Sequence, residues 1–407
     1  MSGHVLVVGA SLSGLRLAEQ LRGLGHRGPI TIAGAETRMP YNRPPLSKDV
    51  LTGDDDETTL VQSLSFRLRP SLDDVTWKLG ATAAACDLTL RRVSFADGPT
   101  LSYDALAIAT GLSPRRVALP GGEKDRYVLR TLDDALALRA RLVAGARLAV
   151  IGAGFIGCEV AASARKRGLA VTMIETFEAP MQRAIGLTAG QAMQALHRSE
   201  GIDFRLQAKI TSFIDRGDGH LDGITLESGE VIACDLAVEA VGSTANTKWL
   251  AGNGLDLTDG VLCDNAMRVE GRADVVAAGD IARFPNHFAD AVPRRIEHWT
   301  IPGFTAKRAA ESLVNYLTDK EMIQDGFAPL PAFWSDQHGL RLQSYGSPSL
   351  GEESEVLEGS LCPDDMRRQG AAVGYRRAGR IIGVVLIGLP VGRLAHYRNL
   401  VDVGRET

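Results

Sequence analysis

Residues 147–175, RLAVIGAGFIGCEVAASARKRGLAVTMIE, constrain the fold more than any other stretch of the chain. An apolar run at 148–151 leads into Gly152, Gly154 and Gly157, and a helical pattern follows. A second apolar run at 170–174 ends at Glu175, 21 residues past Gly154. Continuous apolar runs belong to strands buried on both faces. The first glycine permits a tight turn, the second lets backbone approach a pyrophosphate, and the third lets the helix lie close on the strand. The acid accepts hydrogen bonds from ribose hydroxyls. The helix N-terminus offers free N–H groups and the positive end of its dipole to the phosphates. Every part of a dinucleotide fingerprint is present. Glu175 repels a 2′-phosphate and the next basic residue is Arg183, so NADH is favoured over NADPH.

A second, less regular copy opens the chain. The run Val5–Val8 precedes Gly9, Ser11 and Gly14, with leucines 12, 15, 17 and 21 at roughly helical spacing. Another apolar run at 30–34 is followed by Glu36. Ser11 stands where the fingerprint wants glycine, so an ordinary strand-to-helix turn is the alternative. Two such turns roughly 140 residues apart suggest two dinucleotides. A nicotinamide and FAD are the natural pair, because hydride passes between them.

Length and charge set the outer bounds. At 407 residues the chain holds two or three domains. A net charge of −4 argues against nucleic acid as a partner. The five cysteines, Cys86, Cys158, Cys234, Cys263 and Cys362, form no C-x-x-C pair and suit neither a disulfide framework, a metal cage nor an iron–sulfur cluster. They fit a reducing cytosol, and no signal-peptide pattern opens the chain. The longest apolar run, 381–392, is too short to span a bilayer and is broken by Pro390, so it reads as a buried strand and its turn. The acid run at 54–57 reads as a solvated turn. The expectation is a cytoplasmic protein with no metal site and no membrane segment.

The stretch 41–48, YNRPPLSK, carries Arg43 and Lys48 around a Pro-Pro pair, which reads as a stiff, extended loop. It resembles the Y-[DE]-R-P-P-L-S-K loop of FAD-dependent NADH:ferredoxin reductases, which serve aromatic-ring dioxygenases and haem monooxygenases. LAIATG (106–111), VIGAGFIGCEVA (150–161), EAVGSTAN (239–246), VVAAGDIA (275–282), RIEHW (295–299) and FWSDQ (333–337) extend the resemblance over essentially the whole chain. It implies an α/β fold with two Rossmann-like domains. The FAD domain (1–112 and 246–322) is interrupted by an NADH domain (113–245), and a mixed C-terminal domain covers 323–407. It implies FAD at Gly9, Ser11, Gly14, Glu36, Arg43, Lys48, Thr110, Gly111, Arg130, Asp280 and Trp299. It implies NADH at Gly152, Gly154, Phe155, Ile156, Gly157, Glu159, Glu175, Arg183 and Gly242. Lys48 would reach the flavin, Glu159 would pair with it and face the nicotinamide, and Trp334 would lie beside the ring where a ferredoxin docks.

For several of these residues the bland reading stays open: a helix N-cap for Asp280, a dipole-favoured first-turn acid for Glu159, a core tryptophan for Trp334, and a surface charge on an amphipathic helix for Arg130. Ala35 stands where the family has an acid that binds the adenosine ribose, with Glu36 one residue on as its substitute. Asn42 replaces an acid beside Arg43, and IPGFT (301–305) replaces a more polar stretch. Lys48 lies in the region where disulfide reductases of similar architecture carry a redox cysteine pair. The implied reaction takes electrons from NADH through FAD to a separate 2Fe–2S ferredoxin, with the protein a monomer or weak dimer. Alternatives are an NADH:rubredoxin reductase and an NADH-responsive flavoprotein switch resembling apoptosis-inducing factor. Arg294, Arg295, Lys307, Arg308 and Arg341 are expected to form a basic docking patch for an acidic ferredoxin.

Overall fold

The computed structural model describes residues 3–286, 288, 290–324 and 326–403. They separate into two compact units. The first takes in the chain up to Asn42, Val61–Ser113 and Thr244–Pro331. The second takes in Arg43–Leu60, Pro114–Ser243 and the chain from Ala332 onward. The chain leaves the first along strand Leu112–Pro114 and returns along Ser243–Ala245, and these two short strands pair with each other.

The first unit is built on a five-stranded sheet in the order Val275–Ala277, Ala105–Ile108, Val5–Val8, Ile30–Gly34, Thr76–Leu79. All its pairings are parallel. The central strand places Val5 opposite both Ile30 and Ala105. All four of its residues are buried, as a strand covered on both faces must be. Helix Leu12–Gly23 leaves the central strand and packs against helix Ile301–Leu317.

The second unit repeats this plan. Its parallel sheet runs Ile202–Arg205, Ala170–Ile174, Arg147–Ile151, Leu236–Glu239, Arg126–Tyr127. Again the central strand feeds a glycine turn and a helix, here Phe155–Lys166. The unit also contains a five-stranded antiparallel sheet: Ala332–Gln337, Leu340–Gly346, Arg380–Ile387, Ala371–Arg377, Glu353–Gly359. The apolar run that ends at Pro390 is the strand Arg380–Ile387, and no helix among the described residues is long and apolar enough to cross a membrane. In Ala332–Gln337, Phe333, Ser335 and Gln337 point inward and are buried. The alternative reading of Asp280 as a helix N-cap is not met, since Ala278 holds the N-cap position. Asp280 sits in the single 3-10 turn Gly279–Ile281, and the next residues form strand Ala282–Pro285.

Both glycine turns obey the same steric rule. A Cβ on Gly14 would stand 2.0 Å from the carbonyl oxygen of Gly9, and one on Gly157 would stand 2.1 Å from that of Gly152. Gly9 and Gly152 have φ of +127° and +93°, and a Cβ on either would strike the carbonyl of Ala109 or Ala240. The first turn of each helix therefore rests directly on its strand. Gly157→Ala is expected to lower stability by about 2–3 kcal/mol in urea unfolding, because backbone has to move. Gly303→Ala meets nothing within 4 Å of its new Cβ. It lies in the first turn of helix Ile301–Leu317 and should be neutral or raise stability by up to ~1 kcal/mol. Equal losses in both variants would sink the steric argument.

Candidate active site

The turn in the second unit has the shape a pyrophosphate needs. Gly154 is the N-cap of helix Phe155–Lys166, and a Cβ there would enter open space with nothing within 4 Å. Glu175 lies over this turn. Its Oε2 accepts the Ala153 N–H at 2.6 Å, and its Oε1 accepts those of Thr176 at 2.7 Å and Phe177 at 3.1 Å. The carboxylate is thus held in place by backbone. Ile156 is exposed and Gly242 has φ +100° with open space beside it. Arg183 is exposed, with its guanidinium 6.0 Å from the Phe177 ring.

In the first unit, Ser11 caps the helix with φ −118° and ψ −160°, extended backbone that any residue adopts. Serine in place of glycine is therefore no strain. A Cβ on Gly279 would stand 2.0 Å from Ser13 Oγ, so the Asp280 turn closes tightly on the start of helix Leu12–Gly23. Thr305 Oγ1 accepts the Gly279 N–H at 2.9 Å and fixes that approach. Glu36 ends its loop half-buried and accepts the Tyr41 hydroxyl at 2.6 Å, while Ala35 is exposed. Thr110 and Asn246 exchange two hydrogen bonds at 2.9 Å, with Gly111 between strands at φ +60°. Trp299 is half-buried in the segment before helix Ile301–Leu317.

The PPLS stretch is not extended. Pro44–Ser47 forms a 3-10 turn with proline in its first positions, followed by the short helix Asp49–Thr52. Proline suits the start of a helical turn, where no N–H is needed and φ is already set. Arg43 Nη1 donates to the Arg130 carbonyl at 2.6 Å, tying the turn to the residue before the Thr131 capping box.

This turn delivers Lys48 to Glu159, with Nζ 2.7 Å from Oε2. The pair is largely buried, with side-chain exposures of 17% and 5%. Glu159 and Ser163 share one face of their helix, four residues apart. Ser163 Oγ donates to the Ser47 carbonyl at 2.7 Å, and the Ser47 hydroxyl donates to Glu159 Oε2. The other carboxylate oxygen accepts from Ser335 Oγ at 2.5 Å. Behind Ser335 lies Gln337, whose Nε2 donates to Ser335 Oγ at 2.8 Å. Gln337 Oε1 meets His197 Nε2 at 2.7 Å, and His197 Nδ1 meets His338 Nε2 at 2.9 Å. Burial pushes the wholly buried His197 down to about 3 and His338 down to about 4, so both are neutral at pH 7.

The Phe155 and Phe333 rings pack with centroids 4.8 Å apart and planes tilted by 56°. Trp334, on the outward face of its strand, is half-buried, with the Arg341 guanidinium 5.3 Å from its ring. The alternation along FWSDQ that turns Trp334 outward turns Ser335 and Gln337 inward. Ser47, Ser163, Ser335 and Gln337 are functional candidates that the motifs alone do not single out; the strand alternation in FWSDQ signals Ser335 and Gln337 only. Of the five cations expected to form a basic patch, Lys307 is exposed and Arg341 lies 3.9 Å from Asp336, while the other three are engaged as follows. Arg308 is buried and donates to the Asn265 carbonyl at 3.0 Å. Arg295 is paired with Asp259 at 2.7 Å and Glu297 at 2.8 Å, and Arg294 is paired with Asp290. Arg294 and Arg295 are thus each paired with acids, near in sequence for Asp290 and Glu297 and distant for Asp259.

Two outcomes are expected of the Glu159 cluster. Lys48→Met leaves a buried carboxylate without its cation and should cost ~3 kcal/mol of stability. Lys48→Met with Glu159→Gln should recover at least half of that loss in urea unfolding, and additive losses would show that the two charges do not interact. The histidines give a pH dependence. The unfolded chain binds their protons below about pH 6.5, whereas the folded chain does not until about pH 4 or lower. Stability should therefore fall as pH drops through this window, by ~2 kcal/mol from His197 alone between pH 6.5 and 5. His197→Gln should flatten the slope; an unchanged slope would contradict the burial of that ring.

Comparison with known proteins agrees with this geometry. Residues 3–301 match the family described as pyridine nucleotide-disulphide oxidoreductase. The anthranilate 1,2-dioxygenase system ferredoxin–NAD(+) reductase component of Burkholderia cepacia is 34% identical, covering 98% of this chain and 94% of its own. Rubredoxin-NAD(+) reductase of Ectopseudomonas oleovorans is 33% identical, covering 84% of this chain and 86% of its own. Among solved structures, the covalent putidaredoxin reductase–putidaredoxin complex matches with a TM-score of 0.87 at 28% identity, over 98% of this chain and 93% of that one. Two parallel sheets, each feeding a glycine turn from its central strand, and likenesses that run nearly end to end lead to one conclusion: the chain is an oxidoreductase and belongs to the pyridine nucleotide-disulphide oxidoreductase family.

Proposed function

We propose that this chain is an FAD-dependent NADH:ferredoxin oxidoreductase of the cytoplasm, supplying electrons through a 2Fe–2S ferredoxin to an aromatic-ring dioxygenase or haem monooxygenase. The observation that carries the reading is the buried Lys48–Glu159 pair in a family named for disulphide chemistry. All five cysteines are free. Burial pushes Cys86 up to about 11 and Cys234 up to about 12, and it raises Cys158 and Cys263 well above the usual thiol range. These four thiols, three buried and Cys86 half-buried, are unsuited to exchange, because the thiolate is the reactive form. Relatives named as ferredoxin–NAD(+) reductases support the acceptor.

FAD, when bound, accepts hydride from NADH and gives up its electrons singly. The residues supply position and charge. The FAD domain is assigned to 1–112 and 246–322, the NADH domain to 113–245 and a C-terminal domain to 323–407. Gly9, Ser11 and Gly14 with the first helix N-terminus hold one pyrophosphate, and Gly152, Gly154 and Gly157 hold the other. Arg43, Arg130 and Asp280 are assigned to FAD, with Glu36 on its ribose. Thr110, Gly111 and Trp299 line the same cofactor. Phe155, Ile156, Arg183 and Gly242 are assigned to NADH, with Glu175 on its ribose. Lys48 presents a cation toward the flavin, Glu159 orients Lys48 and the nicotinamide, and Trp334 marks the exit for electrons.

A rubredoxin is the second acceptor in view, because rubredoxin-NAD(+) reductases are 32% and 33% identical to this chain. The test is NADH-dependent reduction of a purified 2Fe–2S ferredoxin and of a rubredoxin, side by side. Fast reduction of the ferredoxin is expected. Preference for rubredoxin selects the second reading, and slow turnover with a long-lived NADH complex would indicate a switch. Glu175→Ala should lower the NADH/NADPH ratio of kcat/KM at least tenfold, since it removes charged hydrogen bonds worth about 1.5–3 kcal/mol and a repulsive charge. An unchanged ratio would falsify the placement of Glu175 on the ribose.

A further inference from the structure

The chain of hydrogen bonds behind Glu159 has one direction, and that direction is dictated from the carboxylate end. Glu159 is ion-paired to Lys48 and accepts only. Ser335 must therefore point its single hydroxyl hydrogen at Glu159 Oε1. The Ser335 oxygen then accepts, so Gln337 must present its NH2 group, and its second hydrogen faces Met181 Sδ at 3.5 Å. Gln337 Oε1 is left to accept from His197, which must carry its proton on Nε2. The bare Nδ1 of His197 then accepts from His338 Nε2–H. Four side chains are set by a single charge. His338 is half-buried, so the line runs from a buried carboxylate toward solvent.

The line does not conduct protons. A carboxamide stands in its middle, and an amide passes a proton only by becoming an imidic acid. Its action is orientational. Turning the Gln337 amide over would offer Oε1 to Ser335, and the serine hydrogen would then be drawn away from Glu159. The His197 Nε2–H prevents that turn, and the His338 Nε2–H prevents the His197 proton from moving to Nδ1.

We propose that Ser335, Gln337, His197 and His338 are positioning residues that hold Glu159 in its working orientation for hydride transfer from NADH, with the tautomer of the two histidines locked to the Lys48–Glu159 pair. The kinetic part rests on the reaction proposed above; the tautomer part does not. No relation between the two units is involved, since all of these side chains lie in the second.

The test has two arms. In 15N-histidine NMR of the full chain with FAD at neutral pH, His197 and His338 are expected as Nε2–H tautomers, with His197 Nδ1 showing the shift of a hydrogen-bond acceptor. His197 protonated at Nδ1, or exchanging between tautomers, overturns the proposal and needs no variant to be seen. In the kinetic arm, with NADH and a small dye, Ser335→Ala is expected to lower kcat roughly tenfold with little change in KM, as one lost hydrogen bond to a charged group implies. His197→Leu should do the same, and His197→Gln, which can both donate and accept, should restore the rate to within about twofold. Because His197 acts through Ser335, the double variant Ser335→Ala/His197→Leu should be no slower than Ser335→Ala alone. Multiplying losses in the double variant, or no rescue by His197→Gln, would overturn the proposal. A wild-type protein that reduces no dye with NADH would instead overturn the reaction, leaving the NMR result to judge the positioning.

Discussion

The second unit and the first both depend on an approach that only glycine allows: the first turn of a helix lying on the end of the strand that feeds it. At Gly157 the distance from a would-be Cβ to the Gly152 carbonyl oxygen is 2.1 Å, and at Gly14 the matching distance to Gly9 is 2.0 Å. A methyl group at either place would lift the helix. The N–H groups of its first turn would then no longer converge on one point beyond the strand. Positive φ at Gly9 and Gly152 serves the same end, since it turns the chain without a detour. The middle position of each turn is different. Gly154 and Ser11 both have extended backbone, so neither requires glycine for conformation. What Gly154 supplies is room.

The Glu159 cluster shows how a buried charge is made tolerable. A carboxylate withdrawn from water costs several kcal/mol unless its lone pairs are met. Here one oxygen receives Lys48 and Ser47, and the other receives Ser335. The helix places Ser163 beneath Glu159, and Ser163 grips the Ser47 carbonyl. The 3-10 turn is thereby fastened at both its hydroxyl and its backbone, and Lys48 follows directly on it. The prolines contribute by leaving the turn few other conformations, so less entropy is lost when Lys48 is held.

Much of this was legible in the sequence, and the reasons differ by residue. The strands at 30–34 and 170–174 were read to the residue, because the first apolar run stops at Gly34 and the second stops before the charged Glu175. The alternation in FWSDQ was legible too, though its inward serine and glutamine drew no attention. The 3-10 turn at Pro44–Ser47 was missed because proline is excluded from helix interiors but welcome at their start, and sequence alone does not say which end is present. The fate of single cations in the expected basic patch was not legible, for a different reason. Counting cations ignores the acids that fold back on them, and Arg295 meets Asp259 from a loop 36 residues away.

A lysine–glutamate pair differs from a cysteine pair in what it can exchange with its surroundings. A cysteine pair accepts two electrons together and stores them as thiols. Lys48 and Glu159 accept none. They fix a positive and a negative charge 2.7 Å apart in a largely dehydrated place, where each acts on its neighbours more strongly than it would in water. Such a pair can stabilise charge that appears during a reaction without being consumed by it. It must then be rigid, because a pair free to rotate would reorient with each change of charge nearby and cancel its own effect. The donors on both carboxylate oxygens, and the amide and imidazoles stacked behind them, supply that rigidity from within one unit of the chain.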